Sequence, residues 1–291
     1  MDNTADPSRR VFLLGSACAL ACATGKARAD AQSPLDALEA ELGGRIGLAA
    51  IDTRNGKTLG HRADERFAMC STFKWTLAAA VLAKQDRQAG ILEQRLSYSA
   101  KDLVHYSPVT ELHIKEGSML VAELCQAAVE MSDNTAANLL LKLVGGPAAL
   151  TQYLRSIGDP TTRLDRNEPA LNTSLPGDPR DTTTPAAMLA TMQTVLLGTA
   201  LSVTSRERLL GWLKGSQTGL ARLRAGLPQG WTVGDKTGTG DNGAANDIAI
   251  AWPPRRPPIL IAAFLSDSRA SPEALNAAHA RLGGIVSAAF S

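Results

Sequence analysis

"RIGLAAIDTRNGKTLGHRADERF", residues 45–67, decides the fold, because it sets a hairpin near the start of a chain whose next strand-like segments lie at the far end. Apolar Ile46, Leu48, Ala50 and Ile51 lead into Asn55-Gly56, a pair that favours tight hairpin turns. The matching segments are "WTVGDKTGTG" (231–240), "NDIAIAWPP" (246–254) and "PPILIAAFLSD" (257–267), the last two joined by the turn "PPRRPP". Between the two ends the pattern is helical. Segments are expected at Ala78–Lys84, Val121–Met131, Thr135–Val144, Pro147–Ser156, Pro185–Leu197 and Ser205–Leu213, with a last helix over Pro272–Phe290. The expected fold class is mixed α/β (α+β): one antiparallel sheet built from both termini and flanked by helices, plus an all-helical insertion domain. An active site is expected in the cleft between them. The boundaries are 30–62 with 214–291 for the α/β domain, and 63–213 for the helical domain. The helical part includes an omega-type loop at 163–181, too long for a mere connector and dense in Pro, Thr and Asp.

With 291 residues, 44% hydrophobic and 20% charged, the composition is that of a globular protein. "SRRVFLLGSACALACATGKARAD" (8–30) has the layout of an export signal: Arg9-Arg10, a short apolar run, then a small-x-small site at Ala27-Arg28-Ala29. The twin arginine points to the Tat route and to a periplasmic location. Cys22 sits in an imperfect lipobox, so a lipid anchor is a minor alternative, and apart from it no membrane contact is expected of the mature chain. Removing residues 1–29 takes four of 30 basic and two of 28 acidic residues, so the remainder is formally neutral. No basic patch argues for nucleic acid, and the chain is expected to act as a monomer on a small molecule.

Chemistry concentrates at three places. In "MCSTFKWTLAAAVLAK" (69–84), Ser71 and Lys74 lie three apart at the mouth of an apolar segment, where a charge is costly unless used. Lys74 is a surface residue, the partner of a structural acid, or the group that activates Ser71. Ser132-Asp133-Asn134 follows one apolar helix and precedes another, so it also suits plain helix capping. Lys236-Thr237-Gly238 lies in a strand, where glycine marks close approach of a ligand or a second backbone.

SxxK, SDN, a Glu-containing loop and KTG in that order form the signature of class A β-lactamases and penicillin-binding proteins. Through "CSTFK", "SDN" with "TAANLL", "RLDRNEPALN", "RDTTTPAAM" and "DKTGTG", the chain resembles class A serine β-lactamases over essentially its whole mature length. The resemblance implies a hydrolase that opens the β-lactam ring of penicillins and cephalosporins through an acyl-enzyme and so confers antibiotic resistance. Ser71 would be the nucleophile, and Lys74 or Glu168 the acylation base, with Lys236 supplying the cation that depresses Lys74. Ser132 would pass a proton to the departing nitrogen, and Glu168 with Asn172 would hold the deacylating water. The Ser71 and Thr239 amides would form the oxyanion hole. Asn134 would bind the acyl side chain, Lys236, Thr237, Thr239 and Arg222 the carboxylate, and Tyr106 would wall the cleft. Arg166 and Asp181 would pin the loop, Pro169 would follow a cis bond as in relatives, and Asn138 would be structural.

The best-known members carry an arginine on the strand after KTG. Ala245 stands there, and Arg222 matches the alternative arginine of other members. No metal or cofactor is expected: His61, His105, His113 and His279 form no zinc spacing, and no GxSxG elbow is present. Two cysteine pairings of relatives would join Cys70 to position 240 and Cys125 to position 78, which are Gly240 and Ala78 here. Positions 70 and 78 lie about 12 Å apart along a helix by rise, so two free thiols are expected. A DD-peptidase would share SxxK and KTG but lacks the Glu168 loop. A β-lactam sensor domain would hold its acyl group and carry an anchor.

Overall fold

The computed structural model describes residues 33–291, so the expected leader lies outside the described residues. Two runs, β1 (Arg45–Asp52) and β2 (Lys57–His61), pair antiparallel through the anticipated turn, where Gly56 takes φ +75°. Three C-terminal strands complete the sheet in the order β2-β1-β9-β8-β7: β7 (Thr232–Thr239), β8 (Ala245–Trp252) and β9 (Ile259–Ser266). Each neighbouring pair is antiparallel, and β1 lies against β9 from Arg45↔Ser266 to Asp52↔Ile259. The termini therefore meet inside one sheet.

Why "ILIAAFLS" is apolar at nearly every position becomes clear from its two faces. Leu260, Ala262 and Phe264 pack with the helical part, while Ile259, Ile261, Ala263 and Leu265 pack on the opposite side. A strand buried on both faces loses the apolar–polar alternation of a half-buried one. The second face is covered by α1 (Pro34–Leu42), the short α8 (Leu223–Gly226) and α9 (Pro272–Ala289). α1 is not among the helices delimited from sequence, although its signals are complete: Ser33 caps it, Pro34 opens it and Gly43 closes it at φ +64°.

On the first face lie α2 (Phe73–Arg87), α3 (Val121–Glu130), α4 (Asn134–Val144), α5 (Pro147–Ser156), α6 (Pro185–Met192) and α7 (Val203–Lys214). α2 is buried all round from Phe73 to Ala83, so it forms the axis of this part rather than a surface helix. Two short ribbons join the helices: β3 (Phe67–Ala68) with β6 (Thr182–Thr183), and β4 (Arg95–Ser97) with β5 (Ser118–Leu120). The helix expected at Pro185–Leu197 ends early. Past Met192 the turns widen over Gln193–Leu197, where the Gly198 N–H reaches back to Gln193 O at 2.9 Å. Residues 33–291 form a single compact unit.

Candidate active site

Ser71 sits in a one-turn 3₁₀ segment, Cys70–Thr72, that feeds directly into α2. Cys70 takes φ +46°, which a residue with a β-carbon adopts at a cost. The Thr72 hydroxyl tightens the turn by donating to Met69 O at 2.8 Å. Lys74 stands on the first turn of α2, on the same face as Ser71, and is fully buried.

Its ammonium is surrounded by acceptors. It donates to Ser132 O at 2.7 Å and to Asn134 Oδ1 at 2.5 Å, and lies 3.0 Å from Glu168 Oε1. The same Glu168 oxygen accepts from Ser71 Oγ at 2.8 Å. Among the described residues no hydrogen bond joins Lys74 to Ser71; the glutamate stands between them. Glu168 is itself 4% exposed. Asn172 donates to Glu168 Oε2 at 2.5 Å, and Asn138 pairs with the Glu168 backbone in both directions, at 2.9 and 3.0 Å. The Glu168–Pro169 bond is cis.

The three residues of "SDN" divide between the helix cap and the cleft. Asp133 is the cap of α4, accepting from Ala136 N at 2.8 Å, and it also takes the Val109 and Thr110 amides at 2.9 Å each. Ser132, at φ +58°, and Asn134 turn the other way, toward the lysines. Asn134 Nδ2 donates to His105 O at 2.7 Å, and its own N–H bonds Tyr106 O at 3.0 Å. Tyr106, half exposed, stands at the rim of the cleft.

β7 supplies the far wall. Lys236 is fully buried and donates to Ser132 Oγ at 2.9 Å and to Thr237 O at 2.8 Å. Burial holds the Lys74 ammonium below its ordinary pKa, against the pull of Glu168. Lys236 is pushed well below its ordinary value, first by burial and then by the charge of Lys74. Arg222 is buried beneath Thr239 rather than lying on the surface. Its Nη2 donates to Thr239 Oγ1 at 2.7 Å, Nη1 to Gly238 O and Asn246 O, and Nε to Asn276 Oδ1 at 2.9 Å. Thr237 Oγ1 lies 2.6 Å from Thr218 Oγ1.

The cleft these residues line holds about 630 Å³, enough for a drug-sized molecule. Arg166 and Asp181 lie outside it and fasten the loop: Asp181 accepts from Arg166 Nε at 2.6 Å and from the Asp165 and Arg166 amides. Residues that sequence reasoning missed are Thr218, Asn246, Asn276 and Ser174, the last 3.4 Å from Cys70 Sγ. Each acts through a partner distant in the chain. Cys70 and Cys125 are both free and buried. Among the described residues no group of three or more His, Cys, Asp or Glu side chains could hold a metal ion.

Two serines that open on one cleft, joined behind it to a buried carboxylate and two buried lysines, define an active-site-serine hydrolase. The family model described as "Beta-lactamase enzyme family" matches residues 30–290. Beta-lactamase CTX-M-8 of Citrobacter amalonaticus is 51% identical over 255 residues, covering 88% of this chain and 86% of the relative. The carbapenem-hydrolyzing beta-lactamase KPC of Klebsiella oxytoca is 51% identical over 254 residues, covering 86% of each. A solved structure, the class A beta-lactamase of the last common ancestor of Gram-negative bacteria (GNCA4), matches with a TM-score of 0.87 at 59% identity, covering 88% of this chain and 98% of that one. The chain belongs to the class A serine β-lactamase family.

Proposed function

We propose that the protein hydrolyses penicillins and cephalosporins through a Ser71 acyl-enzyme, and so confers β-lactam resistance. The observation that carries the reading is the Glu168 carboxylate, 2.8 Å from the Ser71 hydroxyl and held by Lys74 and Asn172. Glu168 takes the Ser71 proton as Oγ bonds the lactam carbonyl carbon. Lys74, with Ser132 O, Ser132 Oγ, Asn134 Oδ1 and Glu168 Oε1 around it, stabilises the charge as an ammonium. The C–N bond breaks, and the nitrogen is protonated by Ser132. Ser132 Oγ already accepts from Lys236 at 2.9 Å and Lys74 at 3.4 Å, so its own hydrogen is left to point into the cleft. Lys74 returns a proton to Ser132 and recovers one from Glu168. In the second half Glu168 deprotonates a water that attacks the ester, and Ser71 leaves with a proton. Asn172 holds Glu168 through Nδ2 and keeps Oδ1 free of protein partners among the described residues, ready to accept from that water.

Substrate contacts follow the same geometry. The Ser71 and Thr239 amides receive the carbonyl oxygen, and Asn134 and Tyr106 receive the acyl side chain. Lys236, Thr237 and Thr239 bind the carboxylate. Arg222 donates to the Thr239 hydroxyl, leaving that hydroxyl's hydrogen for the substrate. Carbapenems are expected to be poor substrates, since Gly240 offers no partner for Cys70. The N-terminal leader supports Tat export to the periplasm, and the formally neutral mature chain, without a basic patch, argues against binding to nucleic acid or, unless Cys22 is lipidated, to a membrane; we take the protein to act as a monomer. Among the described residues no helix is long and apolar enough to cross a membrane. We assign 30–62 with 214–291, and 63–213, as the two parts that flank the cleft.

The purified protein should turn over a chromogenic cephalosporin continuously, whereas one stoichiometric burst would mark a sensor or a peptidase. Glu168→Ala should acylate more slowly, having lost the base beside Ser71, and should deacylate more slowly still, having also lost the group that orients the water, so that a covalent adduct of drug mass accumulates, visible by mass spectrometry. Turnover at the wild-type rate in that variant would remove Glu168 from the mechanism.

A further inference from the structure

Asn246 stands on β8 opposite Gly238 and is completely buried. Its Nδ2 donates to two carbonyls, Ala68 O at 2.8 Å and Met69 O at 3.0 Å, on the residues leading into the turn that carries Ser71. Its backbone carbonyl accepts from Arg222 Nη1 at 2.6 Å. The same nitrogen bonds Gly238 O at 2.8 Å, while Nη2 holds the Thr239 side chain. One residue therefore touches both the turn that carries the Ser71 amide and the strand end that carries the Thr239 amide.

The chemistry of the contact fixes its direction. Two carbonyl oxygens require a donor, so the reversed amide would set Oδ1 against both of them. In this orientation Oδ1 has no protein partner among the described residues. A position filled for packing alone would be apolar, like Ile248 and Ile250 further along the same face of β8. The turn also needs holding, because Cys70 sits at φ +46°. The approach is close: a β-carbon at position 238 would lie 2.6 Å from Met69 O and 3.0 Å from Thr72 N.

We propose that Asn246 is a positioning residue that sets the separation of the Ser71 and Thr239 amides, and with it the fit of the oxyanion hole. The proposal rests on the reading above that these two amides receive the carbonyl oxygen. Oxyanion donors act on the tetrahedral oxygen far more than on the planar carbonyl, so slack at Asn246 lowers kcat and leaves KM nearly unchanged. Both acylation and deacylation pass through such an oxygen, and both slow.

Asn246→Leu is close to isosteric and removes the donor. It is compared with wild type for chromogenic-cephalosporin kcat and KM, for thermal midpoint, and for inhibition by phenylboronic acid. Boron accepts the Ser71 oxygen as its proton leaves, becomes tetrahedral, and places an oxygen in the hole. Asn246→Ser is read in parallel in case the leucine variant folds poorly. Val286→Ala, in the α9 core on the opposite face of the sheet, supplies a destabilised control. The expected result is a loss of about tenfold in kcat, a similar rise in the phenylboronate Ki, and KM within about twofold. The control loses thermal midpoint and keeps both constants. The proposal is overturned if kcat and Ki stay within about twofold, if kcat falls without Ki, or if the control loses them equally. Absence of cephalosporin turnover by the wild type would instead sink the functional reading, and the phenylboronate comparison would still report on the hole.

Discussion

Lys236 has no exposed surface, yet the proposed function has it meet an anionic substrate as a cation. Burial and the charge of Lys74 lower its pKa well below 10.5, so it loses its proton at a lower pH than a surface lysine. Deprotonation removes the charge that holds the substrate carboxylate, and kcat/KM should fall on the alkaline side at a pH clearly below 10.5. Burial shifts Lys74 in the same direction, so its deprotonation also contributes to the alkaline fall. A cephalosporin ester, with no carboxylate to bind, separates the two: its limb should report Lys74 alone. Identical limbs for acid and ester would argue against Lys236 as the carboxylate's partner. At this scale the sequence was most legible where partners are close in the chain. Ser71 and Lys74 share a helical face, so spacing revealed that pair, whereas Glu168 and Asn172 came only with the resemblance carried by "RLDRNEPALN". Asn246 reaches carbonyls 177 and 178 positions away, and no local pattern encodes such a contact.

The loop 163–181 behaves as an element because its ends are tied together. Asp181, fully buried and at φ +57°, takes the Asp165 and Arg166 amides at 2.7 and 2.9 Å as well as the Arg166 guanidinium. Asp181→Ala would leave two amides and an arginine without their acceptor, at a cost of about 2–4 kcal/mol. Glu168 serves both steps, but only deacylation also needs the water that Glu168 and Asn172 of this loop hold, so deacylation should suffer more than acylation. Rapid-quench mass spectrometry should therefore find acyl-enzyme in the steady state, with faster cleavage of the loop by trypsin. Equal slowing of both steps would mean that the pair supports the fold and not the loop's registration. The loop's existence could be read from its Pro, Thr and Asp content. Its two-residue ribbon, Phe67↔Thr183 and Ala68↔Thr182, could not, because so short a pairing carries no periodicity.

At the scale of the whole molecule, the sheet was legible because the Asn55-Gly56 turn and the PPRRPP turn bracket its apolar runs near the two ends of the chain. α9 covers the second face, and there His279 is fully buried with Nε2 3.0 Å from Ala245 O on β8. Burial, then the nearby charge of Arg222, lowers its pKa from 6.5 to about 3. Between those values the unfolded chain binds a proton at this site and the folded chain does not. Its contribution is therefore complete above pH 6.5 and is lost as pH falls toward about 3, at up to about 1.4 kcal/mol per pH unit. His279→Gln keeps a donor for Ala245 O but cannot titrate. Urea unfolding of both proteins from pH 7.5 down to pH 4.5 or so isolates the effect, because carboxylates common to both cancel in the difference. The variant should be equal or less stable at neutral pH and should gain steadily on the wild type below pH 6.5. A difference that stays flat across the range would mean that His279 is not the buried neutral group joining α9 to the sheet.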